Sequence, residues 1–472
     1  MTAQCHSKLL AGFATVSREW QTVIERHNFA RIKLTSSRLA DFSSIIHRNR
    51  ALVRYIWLCL ELEEYDCREC APRVQELMGI SNEDNTLITT AFLDLFSILS
   101  AWAPNGNLQL DISVHSPSDS EHWFKYLTFG PDTPSDECDR DICAEQSMLV
   151  KLDDHKHDWP TGPRIRRQDL APLRAGILKV FDRIMGEGPF VDDEQENQWW
   201  QQLPLVPVVT GVLLRQQTRR RWKPTALAQM FARLPRLQEI HYEPWRPWTE
   251  NDQRWTDESF QSLLESLDSS RLWRLVLFED FNLQYPLVFI NTLDYGEPCR
   301  IPTPDVNRAV AKASLELEHL SASYIKWPSL TSLTLTSQLL SPHACPVKID
   351  NMLRAAAAAA MKMPNLETVE IWNGHRGWAM LFRYQLHRGR PVVITRRGTE
   401  EFALRPPVVQ AWEAVALKRG LGSTIVVEEL LDAGTVIRSH GDAIHHLKLL
   451  NPVIRPASLR QIRMEHRIRK EI

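Results

Sequence analysis

The sequence predicts an α/β repeat, in which short strands and helices alternate and stack into a solenoid along most of 472 residues. Two observations carry this. A phrase of the form apolar-Pro-x-Leu-x-x-apolar-x-apolar occurs at Leu234–Tyr242, Trp327–Leu335 and Met363–Ile371, with a proline-free version from Leu272 and a weaker one from Leu317. An amphipathic helical stretch precedes most of these phrases. Proline removes a backbone donor and turns its predecessor away from the helical region, so it ends a helix and lets a strand begin. Leu330, Leu333 and Leu335 then alternate with threonines, which predicts burial of one strand face and a wet opposite face.

The helices follow one plan. Thr256 is placed to cap a helix whose first turn carries Asp257 and Glu258 and whose stripe is Phe260, Leu263, Leu264 and Leu267. Leu227, Met230, Phe231 and Leu234 form a second stripe, and Asp350 is placed to cap an alanine-rich helix from Met352 to Met363. Upstream, strands are expected at Ala30–Leu34, Leu52–Leu60, Leu108–Val114 and Val208–Leu214, with helices at Ser37–His47 and Thr86–Trp102. The interval between Leu317 and Leu330 is too short for a helix, so a loop or a missing piece of repeat is expected there. No such unit buries its apolar face alone, and stacking of neighbours would complete the core. Residues 115–170 and 186–204, rich in polar and acidic residues, read as insertions or loops. Helices at Pro407–Lys418 and Ser458–Arg469 would cap the array. The division expected is therefore a helical motif at 1–35, repeats at 36–400 and a capping region at 401–472.

With 43% hydrophobic and 24% charged residues the composition is that of a globular protein. Fifty-six Lys and Arg against 58 Asp and Glu leave a net charge of −2, so no whole-molecule field favours nucleic acid or anionic lipid. Leu9–Ser17 makes a poor signal peptide, and no run reaches the roughly 20 apolar residues of a membrane span. Sparse cysteines fit a reducing compartment. The expectation is an intracellular chain, cytoplasmic or nuclear, whose partners are proteins and not nucleic acid, membrane or a small-molecule substrate.

Chemistry-bearing groups are few. Cys67-x-x-Cys70 and Cys138-x4-Cys143 invite a zinc assignment, but the pairs lie much further apart than the roughly 12 to 20 residues of a zinc ribbon, so reduced thiols and no metal are expected. Asp153–Asp158, with His155 and His157, reads as loop charge, and His440–His446 as a helix start. No nucleophile elbow, phosphate loop or dinucleotide fingerprint occurs, and the expectation is a non-enzyme with no catalytic residue and no cofactor. A metal-dependent hydrolase using His155 and His157 is the distant alternative. Arg215, Arg219, Arg220 and Arg221 beside Trp222 read as a solvated basic loop, or one compensated by the acidic run at 192–196. Trp199, Trp200, Trp245 and Trp248 read as loop aromatics able to anchor a partner, since large rigid aromatics dominate interface energetics.

The N-terminal segment Leu9–Ile24, followed by Phe29–Leu34, resembles the second half of an F-box. The matching features are Val16-Ser17-Arg18-x-Trp20, then Ile24, then Phe29-x-x-Ile32. The plain alternative is a first core helix, since Phe13, Val16, Trp20, Val23 and Ile24 recur at helical spacing. With its irregular repeats, the chain is similar to fungal F-box-like proteins with divergent leucine-rich-like repeats. That resemblance implies a leucine-rich-repeat-like solenoid, a motif in which Phe13, Val16, Trp20 and Ile24 contact Skp1 of an SCF-type ubiquitin ligase, and repeats that hold an unknown target protein. The opening Leu-Pro-x-Glu-Ile segment of an F-box has no counterpart before Leu9. The alternative implied is a degenerate scaffold of the same kind without ligase association.

Overall fold

A computed structural model describes residues 17–71, 79–133, 156–157, 170–185, 188–246, 250–267, 271–280, 285, 303–313, 319–320, 329–387, 390–401, 403–421 and 423–468. Six parallel strands lie side by side: β1 (Arg31–Thr35), β2 (Tyr55–Glu61), β3 (Leu108–His115), β5 (Val209–Leu214), β7 (Glu239–Tyr242) and β8 (Arg274–Leu277). The short β9 (His319–Leu320) pairs β8 on one side and β10 (Ser332–Thr336) on the other. A mixed part follows, in which β11 (Thr368–His375), β12 (Trp378–Gln385) and β13 (Val392–Gly398) run antiparallel in turn and β14 (Thr424–Leu430) returns parallel to β13. β4 (Arg183–Ile184) and β6 (Arg221–Trp222) pair separately.

One face of the sheet carries most of the helices. α1 (Arg18–Phe29) lies against β1, and α2 (Ser36–Ile46) and α3 (Asn82–Ser100) cover β1 and β2. α4 (Ala171–Val180) packs instead in a separate cluster with Phe124 and Tyr126, while α5 (Asp193–Gln202), α6 (Pro224–Ala232), α7 (Glu250–Ser266) and α8 (Pro304–Ala313), then α9 (Pro346–Ala360) and α10 (Pro406–Lys418), continue the first layer. The stripes read from the sequence in α6 (Leu227, Met230) and α7 (Phe260, Leu263) lie in the main core, together with Phe92, Leu95 and Leu99 of α3, Leu353 of α9 and Trp412 of α10. Ile56, Leu58 and Leu60 of β2 join this core. The intervening Tyr55, Trp57 and Cys59 point the other way, into a cluster with Leu213.

That second face is where the expected solenoid gives way. In a solenoid each repeat contacts only its neighbours. Here α11 (His440–Leu447) and α12 (Pro456–Ile468) fold back over the opposite side of the sheet. Ala443, Ile444 and Leu447 of α11 pack on Trp372, Ala379 and Leu381 of β11 and β12. A Cβ at Gly374 would lie 2.1 Å from the Ala443 Cβ, so only glycine admits α11 this close to β11. Further on, Gln461 accepts from the Thr128 amide (2.9 Å) and hydroxyl (2.7 Å), and its own amide donates to the Tyr126 carbonyl (2.9 Å). These contacts join residues more than 300 positions apart. The chain is therefore a mixed α/β sheet protein with layers on both faces, not a leucine-rich-repeat-like solenoid with a terminal cap.

The expected boundaries shift accordingly. β1, assigned to the 1–35 motif, is the first strand of the sheet, and β14, assigned to the 401–472 cap, is the last. The stretch after β3, expected to be an insertion from 115, supplies Phe124, Tyr126 and Leu127 to a buried cluster with Leu173 and Ile177 of α4, Trp245 and Tyr285. In the second expected insertion, Asp192 caps α5 by accepting from the Gln195 amide (2.8 Å), and Asp193 and Glu194 sit in its first turn. The acidic run is a helix N-terminus, where negative charge is favoured. Thr256 and Asp350 lie inside α7 and α9, which begin earlier than their expected caps. No helix among the described residues is long and apolar enough to cross a membrane.

Candidate functional site

Three groups of residues carry chemistry or surface, and two of them lie on the second face. The first is a layer of buried charge. Arg215, Arg219 and Arg220, expected to be solvated, follow β5 into the interior. Arg215 Nε lies 2.8 Å from Asp111 Oδ2, with both side chains fully buried. Arg219 meets Glu465 of α12 at 2.6 Å, and its guanidinium sits 4.2 Å from the Trp245 ring centroid. Arg220 pairs with Asp119. The acidic run is matched instead by Lys223, 2.6 Å from Asp193 and 2.8 Å from Glu196. Strand positions that look wet in the sequence, Asp111 above all, are thus interior positions with ionic partners, the usual condition for burying charge.

The second group is built around Cys67 and Cys70. Asp66 starts their turn: its carbonyl accepts from the amides of Glu69 and Cys70 (both 3.1 Å), and its carboxylate from the Arg68 amide (2.6 Å). His122, just past the short 3-10 turn Pro117–Ser120, and His157 converge on this turn. The Cys67 and Cys70 sulfurs lie 3.1 and 3.5 Å from His157 Nε2, and one donor atom from each of the four residues lies within 4.8 Å of the others. Cys70 and His157 are buried. Burial, then the neighbouring Cys67, pushes the Cys70 thiol up to about 11, and burial holds the His122 imidazole below its ordinary value. Around them His122 Nε2 lies 3.4 Å from the Tyr65 carbonyl oxygen, the Tyr65 ring stacks on His122 at 5.6 Å, and the Trp123 ring stands edge-on to His157 at 5.2 Å. The Tyr65 amide donates to Ser118 Oγ (3.0 Å) and its hydroxyl to Asp119 (2.9 Å), so this turn is tied to the Arg220 ion pair.

The sequence showed the Cys67-x-x-Cys70 pair but matched it with Cys138 and Cys143, which lie outside the described residues. Its true neighbours come from segments without periodic pattern. His155, the partner proposed for His157 in a hydrolase, also lies outside the described residues. His157 instead stands among four donors, whereas a catalytic zinc keeps three protein ligands and an open position. A second set, Cys59, Glu61 and His115, is also close together, but Glu61 is engaged by Lys33 at 3.1 Å.

His115 has a measurable consequence. It is buried at the end of β3 and stacked on Phe129 with centroids 3.7 Å apart. Burial drives its pKa down to about 4, against an opposing pull from Asp119. An unfolded histidine titrates near 6.5, so between about pH 6.5 and 4 the unfolded state binds a proton that the folded state refuses, and stability falls as pH falls through this window. Burial also lowers His375 and His466, which adds in the same direction. Urea unfolding of His115→Gln between pH 6.5 and 5 is expected to show a slope smaller by up to about 1.4 kcal/mol per pH unit. An unchanged slope would mean that His115 is solvated.

The third group is the N-terminal helix. Ser17 caps α1 by accepting from the Trp20 amide (3.2 Å), and Glu25 pairs with Arg48 at 2.7 Å. Ile24 is buried against the chain's own core, so it is not presented to a partner as the resemblance implied. Trp20 is 54% exposed and Val23 65%. Phe13 and Val16 lie outside the described residues. The tryptophans expected as loop anchors are placed differently. Trp199 and Trp200 belong to α5, with Trp200 fully buried against Phe92 and Trp199 partly buried. Trp245 is buried among Phe181 and Tyr285 because its indole N–H donates to the Gln216 carbonyl at 3.0 Å. Trp248 lies outside the described residues.

Residues 266–455, less than half of the chain, match DUF6546, a family of unknown function. The match runs from the end of α7 through β14 and α11 and stops before α12. No curated protein matches the chain.

Proposed function

We propose that the chain is a non-enzymatic protein-interaction scaffold that docks a second protein on the outer side of α1, with Skp1 of an SCF-type ligase as the partner the F-box resemblance points to. The observation that supports this is the exposure of Trp20 and Val23, three residues apart on a helix whose Ile24 is seated in the core. Large apolar side chains held together on a rigid helix are the usual anchors of an interface. In this reading any ubiquitin transfer belongs to the partners, and the target-binding surface lies elsewhere on the chain.

Co-purification with Skp1 tests it. The full chain is expected to retain Skp1, and Trp20→Ala with Val23→Asp is expected to weaken that binding at least about tenfold, the equivalent of 1.4 kcal/mol. Thermal stability should change little, because exposed positions contribute within about 0.5 kcal/mol. Burial of Ile24 favours a second reading, a scaffold of the same kind that no longer joins a ligase. Absence of Skp1 binding by the full chain would select it.

A further inference from the structure

We propose that Cys67, Cys70, His122 and His157 bind one zinc ion, which fastens three segments of the second face to one another. Two sulfur and two imidazole donors are a set that selects zinc among common divalent ions, and four protein ligands close the tetrahedron, so the ion is structural. Zinc–sulfur bonds of about 2.3 Å and zinc–nitrogen bonds of about 2.0–2.1 Å place adjacent tetrahedral donors about 3.3–3.8 Å apart. Of the sulfur-to-His157 separations, 3.5 Å lies inside that range and 3.1 Å just below it, and the donor atoms of all four residues lie within 4.8 Å of one another, close enough for small side-chain shifts to close on one ion.

The surroundings are those of a held site. The Asp66 turn presents both cysteines on one short loop, and the Tyr65 carbonyl and ring orient His122. Trp123 walls His157, and α4 presses on Trp123 at its single glycine: a Cβ at Gly176 would meet the Trp123 ring at 2.5 Å and the Cys70 carbonyl oxygen at 3.1 Å. The donors come from residues 67–70, 122 and 157, stretches with little regular secondary structure of their own. A metal cross-link there adds its binding free energy to the folding of this layer.

The full chain, purified without added metal under reducing conditions, is expected to carry about one zinc that resists dialysis and leaves when the thiols are modified, lowering the unfolding temperature. Cobalt exchanged into the site should give the visible bands of tetrahedral Co2+ with thiolate charge transfer. Cys70→Ser and His157→Gln should lose the metal, whereas Cys345→Ser and the double change Cys138→Ser, Cys143→Ser should keep it. His122→Cys, which preserves a donor and guards against mere misfolding, should keep cobalt with stronger thiolate bands. A metal-free chain that takes up neither zinc nor cobalt, or a Cys67–Cys70 disulfide in its place, would overturn the proposal. So would zinc that survives Cys70→Ser and is lost with Cys138 and Cys143.

Discussion

Glu465→Ala is expected to destabilise the protein by about 3–5 kcal/mol, the cost of leaving a buried charge without its partner. Glu465 sits on α12 with its side chain 1% exposed, 2.6 Å from Arg219 and 2.5 Å from the Tyr285 hydroxyl. Removing it leaves the Arg219 guanidinium in the interior facing Trp245, where water cannot replace the lost carboxylate. The effect should appear as a lower urea midpoint of the whole cooperative transition, because the pair joins the last helix to the middle of the sheet. Replacing both partners, Glu465→Leu with Arg219→Met, should restore most of the loss, since a buried ion pair contributes little beyond an apolar pair of similar volume. Were α12 only a terminal cap, Glu465→Ala would be nearly silent.

Asp111→Ala is the second large effect, again about 3–5 kcal/mol. Asp111 lies on β3 between Trp57 of β2 and Leu213 of β5 in the strand register. It binds Arg215 and accepts the Tyr55 hydroxyl, and all three side chains are buried. On a strand with one wet face this substitution would fall within about 0.5 kcal/mol. The urea midpoint therefore distinguishes a sheet covered on both faces from one covered on a single face. Asp111→Leu combined with Arg215→Met should recover most of the stability by the same argument as before.

Local signals in the sequence place several elements closely, because they are written within a few residues, although α7 begins at Glu250 and α9 at Pro346, ahead of the caps expected at Thr256 and Asp350. β3 and β5 were expected at Leu108–Val114 and Val208–Leu214 and occur at Leu108–His115 and Val209–Leu214. α2 and α10 likewise fall within a residue of expectation, and the His440 cluster is the helix start it looked like, capped by Ser439. What these local signals leave out is the cover on the second face. Alternation of apolar and polar residues is the mark of a half-wet strand only if water reaches the polar side. At Asp111, Thr334 and Glu370 the polar side chain is buried. Glu370 pairs with Arg383 (2.8 Å) and accepts the Leu450 amide. Nothing in the local pattern of β3 or β11 distinguishes such positions from exposed ones; the information lies in the arginines and loop amides that arrive from far along the chain.

The same limit explains the candidate site. Cys67 and Cys70 were visible as a pair and His157 as part of a charged cluster, but His122 carried no signal, and only the folded segments bring the four together. The burial of Trp200 has a related origin. An acidic run beside Trp199 and Trp200 resembles a loop until Asp192 is recognised as a helix cap, after which Trp200 falls on the buried side of α5.

The C-terminal helices close over the sheet laid down by the first half of the chain. Hydrogen exchange compared between the intact protein and a chain ending at residue 455 would reveal this closure. Loss of α12 is expected to remove protection from β3, β5 and residues 116–132, far upstream in sequence. Faster exchange confined to β11–β14 and α11, with the first six strands unaffected, would contradict it.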